Sequence, residues 1–277
     1  MTLAVLMSVY AGETAGRLDL AMDSIWTHQN RKPDRVILVE DGPLPCSVHE
    51  VIEKWQSVLG NSLVVLRNET NLGLTISLNR GLDVISEDLV ARMDSDDVSL
   101  PERFHIQAAY LENHPDVAVL GSSIQEFDDD NDCLQIRHFP TGDIRKYIAK
   151  ASPVAHPAVM MRMDLFREGG LRYDERFRTS QDIALWYDAL SKGYRIDNVD
   201  EVLLKFRRDE SAASRRSKSK ALGEFKIYVR GIYRLYGAFT WRYIYPVSRL
   251  IFRLMPNNFI KLVYNSRLRV LLLQKSR

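Results

Sequence analysis

Asp94-Ser95-Asp96-Asp97 places three carboxylates within four residues, directly after the mostly apolar run Leu89 to Met93. Uncompensated, such clustering is electrostatically costly. A hard divalent cation that prefers oxygen, Mg²⁺ or Mn²⁺, removes that cost and can bridge carboxylates to phosphate oxygens. Three acids exceed what one helix cap before Pro101 requires, so a metal site is the stronger reading. Glu40-Asp41-Gly42 ends another apolar run, with a glycine free to take positive φ and a carboxylate able to accept the imide N–H of a uracil ring. Asp-Gly also closes ordinary strands. Asn71-Leu72-Gly73 followed by Asn79 offers a turn and a helix entry. These two groups are weak alone, and their weight lies in order and spacing relative to the first.

The elements that must position these residues alternate as βα units. Leu3 to Val9 reads as a buried strand, and Leu18, Met22, Ile25 and Trp26 share a helical face. Arg35 to Glu40 is a second strand; Val48, Val51, Ile52, Trp55, Val58 and Leu59 mark a second amphipathic helix. Leu63 to Leu66 is a third strand, Leu74 to Ile85 a helix, Leu89 to Met93 a fourth strand, and Pro101 to Asn113 a helix opened by proline. The sum is an α/β fold with a mostly parallel sheet covered on both faces. In such sheets ligands sit at the carboxyl ends of the strands. Those ends carry Ser8 and Tyr10, Glu40-Asp41, Asn68 and Asn71, and the Asp94 cluster.

After Val117 to Phe127 the pattern is mixed. Ile136 to Phe139 and His156 to Met161 read as strands, Thr141 to Ala151 and Ser180 to Ser191 as helices, and Asp128 to Asp132 as a solvated acidic turn rather than a calcium loop. From Ser214 onward the chain reads as helices rich in Arg, Tyr, Phe and Leu.

The succession Val5-Leu6-Met7-Ser8-Val9-Tyr10, Val36 to Gly42, Asn71-Leu72-Gly73 with Asn79, and Asp94 to Asp97 with Pro101 and Arg103 resembles the nucleotide-sugar half of glycosyltransferase family 2. The resemblance implies a GT-A fold, a nucleoside-diphosphate sugar donor held through Mn²⁺ or Mg²⁺, and inversion at the anomeric carbon. It implies nucleotide contacts from Ser8, Tyr10, Asp41, Asn71, Gly73, Asn79, Asp94 and Ser95, and metal ligation by Asp94 and Asp96. The family usually shows Asp-Asp where this chain has Glu40-Asp41, and base recognition is carried to Asp41. Ser180-Gln181-Asp182-Ile183-Ala184-Leu185-Trp186 is similar to the family segment that holds the catalytic base, which assigns that role to Asp182. An acceptor hydroxyl must lose its proton as it attacks, opposite a departing diphosphate, so the chemistry needs such a group. The alternative is that Asp182 only opens a helix. Asp97, His156, Gln181, Trp186, Arg207 and Arg208 are implied diphosphate or acceptor contacts. A lone histidine is more often structural, and Phe206-Arg207-Arg208 resembles the Arg-containing segment that follows the last strand. The Arg-Trp signature of processive members is absent, which predicts one sugar added per encounter.

The chain has 277 residues, 45% hydrophobic and 27% charged, an ordinary globular composition. Cys46 and Cys133 are too few for a disulfide framework, and the start shows no signal peptide, which predicts a reducing, cytoplasmic setting. The net charge of +2 hides an asymmetry: residues 1–204 carry 20 Lys/Arg against 33 Asp/Glu, a net −13, and residues 205–277 carry 18 against 3, a net +15. No apolar run reaches the roughly 18 residues of a spanning helix. Basic rims with interfacial aromatics such as Tyr233, Phe239, Trp241 and Phe259 predict peripheral binding at an anionic membrane surface; the family resemblance implies that this is the inner face of the cytoplasmic membrane, where a polyisoprenoid-linked saccharide would be met. The competing account is a helical subdomain packed on the core; nucleic acid is disfavoured, because the acidic half would repel it.

The expected organisation is therefore a GT-A catalytic domain over 1–213, with nucleotide-sugar binding in 1–130 and the acceptor side in 131–213, and a basic helical region over 214–277. By resemblance, the function is transfer of one sugar from a UDP-sugar (galactose, glucose or N-acetylhexosamine type) to a lipid-linked saccharide in bacterial O-antigen, capsule or exopolysaccharide synthesis. A haloacid-dehalogenase-type phosphatase also fits Asp94-Ser95-Asp96-Asp97-Val98, but three βα units precede that motif and Tyr147 stands where a second acid belongs after Gly142-Asp143. A non-catalytic sugar-nucleotide-binding membrane scaffold is the other class, distinguished by whether Asp182 is dispensable.

Overall fold

A computed structural model of the chain describes residues 1–208 and 218–254. Within them, nine strands form one sheet in the order β3-β2-β1-β4-β8-β6-β9-β5, with β7 on β6. The first four strands, β1 (Leu3–Tyr10), β2 (Arg35–Asp41), β3 (Leu63–Arg67) and β4 (Leu89–Asp94), are mutually parallel. They end in register: Tyr10 pairs with Asp41 and Ser8 with Asp94. Helices α1 (Ala15–Trp26), α2 (Cys46–Leu59), α3 (Leu74–Val84) and α4 (Arg103–Asn113) connect them and follow.

Side chains alternate across the sheet. Leu3, Val5, Met7 and Val9 of β1 join the core under α1, α2 and α4, while Ala4 and Leu6 face α3 and the later helix α6 (Gln181–Ser191). Strands buried on both faces must be apolar throughout, which is why the runs were readable as strands.

The second half is mixed. β6 (Val117–Phe127) pairs antiparallel with β7 (Gln135–Arg137) and β8 (Met160–Arg162), and parallel with the long β9 (Arg195–Arg207). β5 (Val98–Ser99) pairs antiparallel with β9, and α5 (Asp164–Arg167) is a single turn. Three expectations change here. Thr141 to Ala151 is not an α-helix: Gly142 takes φ +77°, and only Ile144–Lys146 forms a 3-10 turn, although Ile144 and Ile148 are buried as a helix would have buried them. His156 to Met161 is not one strand. Pro157 has no N–H for a ladder, so His156–Ala158 forms a 3-10 turn and the strand starts at Met160. Phe206 and Arg207 lie within the last strand rather than after it.

Two helices follow, α7 (Lys218–Tyr236) and α8 (Ile244–Leu254). α7 packs on α6, with Ile227, Tyr228 and Ile232 in the common core. Gly231 makes the approach possible, since a Cβ there would fall 2.2 Å from the Tyr187 ring. Arg230 meets Asp174 at 3.0 Å and Arg234 pairs with Asp188. No helix among the described residues is long and apolar enough to cross a membrane. The remainder of the expected basic region, 214–217 and 255–277, lies outside the described residues.

Candidate active site

The strand ends open into a cleft of about 490 Å³ lined by Ser8, Tyr10, Gly12, Glu13, Arg17, Asp41, Asn71, Gly73, Leu74, Asp94, Ser95 and Asp96. Seven of the eight residues expected to contact nucleotide are thus together. The eighth, Asn79, is not in the lining: its amide bonds the backbone of Tyr173, at 2.9 and 3.0 Å, and Glu175 at 3.1 Å, bracing that segment against α3.

At the β2 end, Asp41 is buried and its carboxylate shapes the facing turn. Oδ1 accepts from Asn68 at 3.0 Å and Leu72 N–H at 2.8 Å, and Gly73 N–H reaches Oδ2 at 3.0 Å. A carboxylate has about four acceptor positions, so Oδ2 keeps capacity toward the cleft. Gly42 takes φ +90°, and a Cβ on it would lie 2.6 Å from the Asn71 nitrogen. Only glycine meets both demands. Glu40, by contrast, pairs with Arg67 at 3.2 Å and does not line the cleft.

At the β4 end, oxygens of Asp94, Asp96 and Asp97 lie within 4.8 Å of one another. Burial, with Asp94 and Glu13 nearby, pushes the Asp96 carboxyl up to about 6, and burial with Asp94 and Asp96 pushes Asp97 well above the carboxylate range. Asp97 Oδ1 accepts from the Arg207 N–H at 2.8 Å, while Oδ2 is buried without a partner. Repelling carboxylates with an orphaned oxygen fit a divalent cation, and Asp94 and Asp96 are the members of the trio open to the cleft that could hold one.

Arg92, Glu13 and Arg17 carried no sequence signal, whereas Arg103 stood in the motif without a role. Arg92 is fully buried on the β4 face toward α6, pairs with Asp94, and leaves Nε and Nη1 unpartnered. Burial opposes its charge, but Asp94, Tyr173 and Asp97 together outweigh that and raise its pKa. Arg103, also fully buried, donates to the Arg92 carbonyl at 2.7 Å, and burial lowers its pKa to about 9. A charged residue inside a buried parallel strand must be compensated by something, and that was the available clue at Arg92. Glu13 accepts from Ser95 Oγ at 2.6 Å. At the rim, Asp129 bridges two cations, Arg17 at 2.8 Å and Arg207, whose guanidinium lies over Phe127 and whose Nε donates to the Asp96 carbonyl at 2.9 Å. The acidic turn is therefore part of the cleft's edge and not merely solvated. Arg208 points elsewhere, 3.7 Å from Glu126.

Asp182 lies in the first turn of α6, partly exposed. Burial raises its pKa, against the Ile183 N–H bond and the Arg92 charge that lower it. The chain enters α6 through Ser180 at φ 60°, the one non-glycine residue with positive φ among those described. Such strain costs of order 1–3 kcal/mol and marks functional turns. Of the expected diphosphate or acceptor contacts, three more are buried, as Asp97 and Arg207 are. Trp186 is inaccessible, Gln181 is 6% exposed, and His156 bonds Tyr173 Oη at 2.8 Å with its ring edge-on to Trp186; burial holds it neutral, as a structural histidine. A second cavity of about 370 Å³, beside Gly142 and Arg195, holds none of the expected site residues.

The chain is 31% identical over 94% of its length to the amylovoran biosynthesis glycosyltransferase AmsE of Erwinia amylovora, covering 97% of that protein. It is 32% identical to an Escherichia coli UDP-Gal:alpha-D-GlcNAc-diphosphoundecaprenol beta-1,3-galactosyltransferase, with 96% of each chain covered. Among solved structures, Staphylococcus aureus TarS 1–349 in complex with UDP-GlcNAc superposes with a TM-score of 0.66 at 18% identity, covering 92% of this chain and 72% of that one, so the fold is GT-A. The model of Glycosyl transferase family 2 matches residues 5–170 and displaces the phosphatase alternative. An acid-rich cleft at the ends of four parallel strands, on this fold and with these relatives, is that of a glycosyltransferase of bacterial surface-polysaccharide synthesis, and the chain belongs to glycosyl transferase family 2.

Proposed function

We propose that this enzyme is a metal-dependent, inverting glycosyltransferase that moves one hexose or N-acetylhexosamine from a UDP-sugar to a polyisoprenoid-linked saccharide at the cytoplasmic face of the bacterial inner membrane. The observation that carries it is the trio Asp94, Asp96 and Asp97 at the cleft, with the buried unpartnered oxygen of Asp97. The E. coli relative, whose name states a UDP-Gal donor and a diphosphoundecaprenol-linked acceptor, supports the substrate classes. The catalytic unit is 1–213, and membrane association is assigned to the basic helical region 214–277.

Asp41 Oδ2 accepts the imide N–H of uracil, with Asn71 and Gly73 shaping the pocket and the exposed ring of Tyr10 beside it. Ser8 and Ser95 offer hydroxyls along the nucleotide. Asp94 and Asp96 would hold Mn²⁺ or Mg²⁺, whose charge offsets that of the leaving diphosphate. Arg17 and Arg207 are placed to meet the phosphates once Asp129 is displaced. Asp182 takes the proton of the attacking hydroxyl, and the raised pKa that burial gives it brings its basicity nearer the working pH.

The test is calorimetric titration with UDP, with and without Mn²⁺, on the native protein and on Asp96→Ala. Metal-dependent binding that the variant lacks is expected. Equal UDP binding with and without metal would remove the metal from the reading, and no binding at all would remove uridine.

A further inference from the structure

Helix α8 turns an aliphatic face to the outside. Ile244, Val247, Ile251 and Leu254 recur at intervals of three and four residues, which places them on one face, and all four are exposed. In the turn leading into the helix Phe239 is fully exposed and Trp241 is 65% exposed. The face toward α7 holds Arg249 and Arg253, which meet Glu224 at 3.1 and 2.6 Å, and Arg249 lies over the Tyr228 ring. A helix that ends at water has the opposite disposition, apolar in and charged out.

Charge decides what covers this face. Residues 218–254 carry eight Lys/Arg and one acid, Glu224, which two arginines already hold. A second copy of the same surface would set like charge against like. Residues 255–277 carry five Lys/Arg and no Asp/Glu, so the chain's own continuation meets the same repulsion. An anionic lipid surface satisfies both features: headgroups answer the cations, the acyl boundary takes the aliphatic stripe, and the aromatic rings sit between.

We propose that Phe239, Trp241, Ile244, Val247, Ile251 and Leu254 form the surface by which this enzyme lies on an anionic phospholipid membrane, α8 parallel to its plane. The inference deepens the proposed function and rests on it for the purpose of docking, which is access to a lipid-linked acceptor. α7 links the two sites: it packs on α6 through Gly231 and Tyr187, and α6 carries Asp182 in its first turn.

The test is co-flotation of the full chain with vesicles of phosphatidylcholine containing phosphatidylglycerol, against phosphatidylcholine alone. The native chain is expected to float with the anionic vesicles. The double variant Val247→Glu/Ile251→Glu should lose about tenfold or more in partitioning, while Val58→Glu, an exposed site on α2, leaves it unchanged. Native-like flotation of the double variant overturns the proposal, as does equal binding to phosphatidylcholine alone. UDP titration of the double variant, and transfer to a water-soluble acceptor analogue, keep the two readings apart. Lost flotation with retained UDP binding and transfer supports docking by this face. Native UDP binding absent while flotation persists removes the proposed donor and leaves the docking surface standing.

Discussion

In the cleft, carboxylates line the open surface and the cations that balance them, Arg92 and Arg103, are sealed beneath. In α8 Arg249 and Arg253 turn inward onto Glu224 of α7, and aliphatic side chains of α8 face out. The two regions carry opposite net charge and treat it oppositely. The cleft keeps three carboxylates within a few ångströms of one another, only partly relieved by those cations, a state suited to a small cation and a diphosphate. The helices neutralise their one acid locally and leave an extended apolar stripe, a state suited to a surface. Compactness of charge separates a ligand site from a docking site here, more than its sign or amount.

That contrast can be broken at several points. Asp96→Ala should reduce transfer on the order of 10³-fold, and with it metal-dependent UDP binding, measured by turnover and calorimetry. Asp182→Asn should lower kcat by about 10²–10⁴-fold with UDP affinity intact; native turnover by this variant would end its assignment as base. Arg103→Met removes a buried cation that compensates Asp97 and clamps the Arg92 carbonyl, and should cost about 3 kcal/mol in denaturant unfolding. Asp129→Asn frees Arg17 and Arg207 and should tighten UDP binding about twofold to fivefold, the scale of an exposed ion pair. The smallest effect is expected at Asp174, where Arg176 and Arg230 hold the carboxyl at about 2 in the folded chain against an ordinary 3.8. Its contribution to stability is complete above about pH 4 and is lost as pH falls toward 2, because the unfolded chain takes up the proton first. Thermal melts from pH 5 to pH 2.5 should show that loss, reduced in Arg230→Ala.

The parallel half was legible because each of its strands is a short apolar run and each connection an amphipathic helix, so β1 to β4 end within a residue of where the pattern places them. The Asp94 cluster was visible for the same reason, since strand ends fix what faces the cleft. β9 was missed because Asp197 and Asn198 interrupt its pattern in buried positions. Besides the local Arg195 at Asp197, their partners, the Gly142 N–H and Tyr110 hydroxyl for one and the Pro140 and Pro153 carbonyls for the other, lie more than 40 residues away. Trp186 and Gln181 had the right neighbours in sequence but are buried, because α6 is packed on almost every side. Arg92 and Arg17 had no local signal at all, and their places follow from sheet register and from a turn that folds back over the cleft. The basic tail, uniform in composition, divides in the fold: α7 enters the common core, whereas α8 packs through one side only and leaves an aliphatic face exposed.

The contact between Gly42 and Asn71 has one more consequence. Where β2 ends, the wall of the cleft is peptide backbone set against peptide backbone, with no room for even a methyl group between. Backbone has no rotamers to try. A side-chain wall would yield to a larger occupant by swinging aside, and a point mutation could retune it; this one yields only if the whole turn before α3 shifts, taking with it the bonds from Leu72 and Gly73 to Asp41. Whatever seats against Asp41 is therefore selected by a rigid gauge. A change of preference at that end requires the turn to be rebuilt, whereas the side chains elsewhere around the cleft can drift singly.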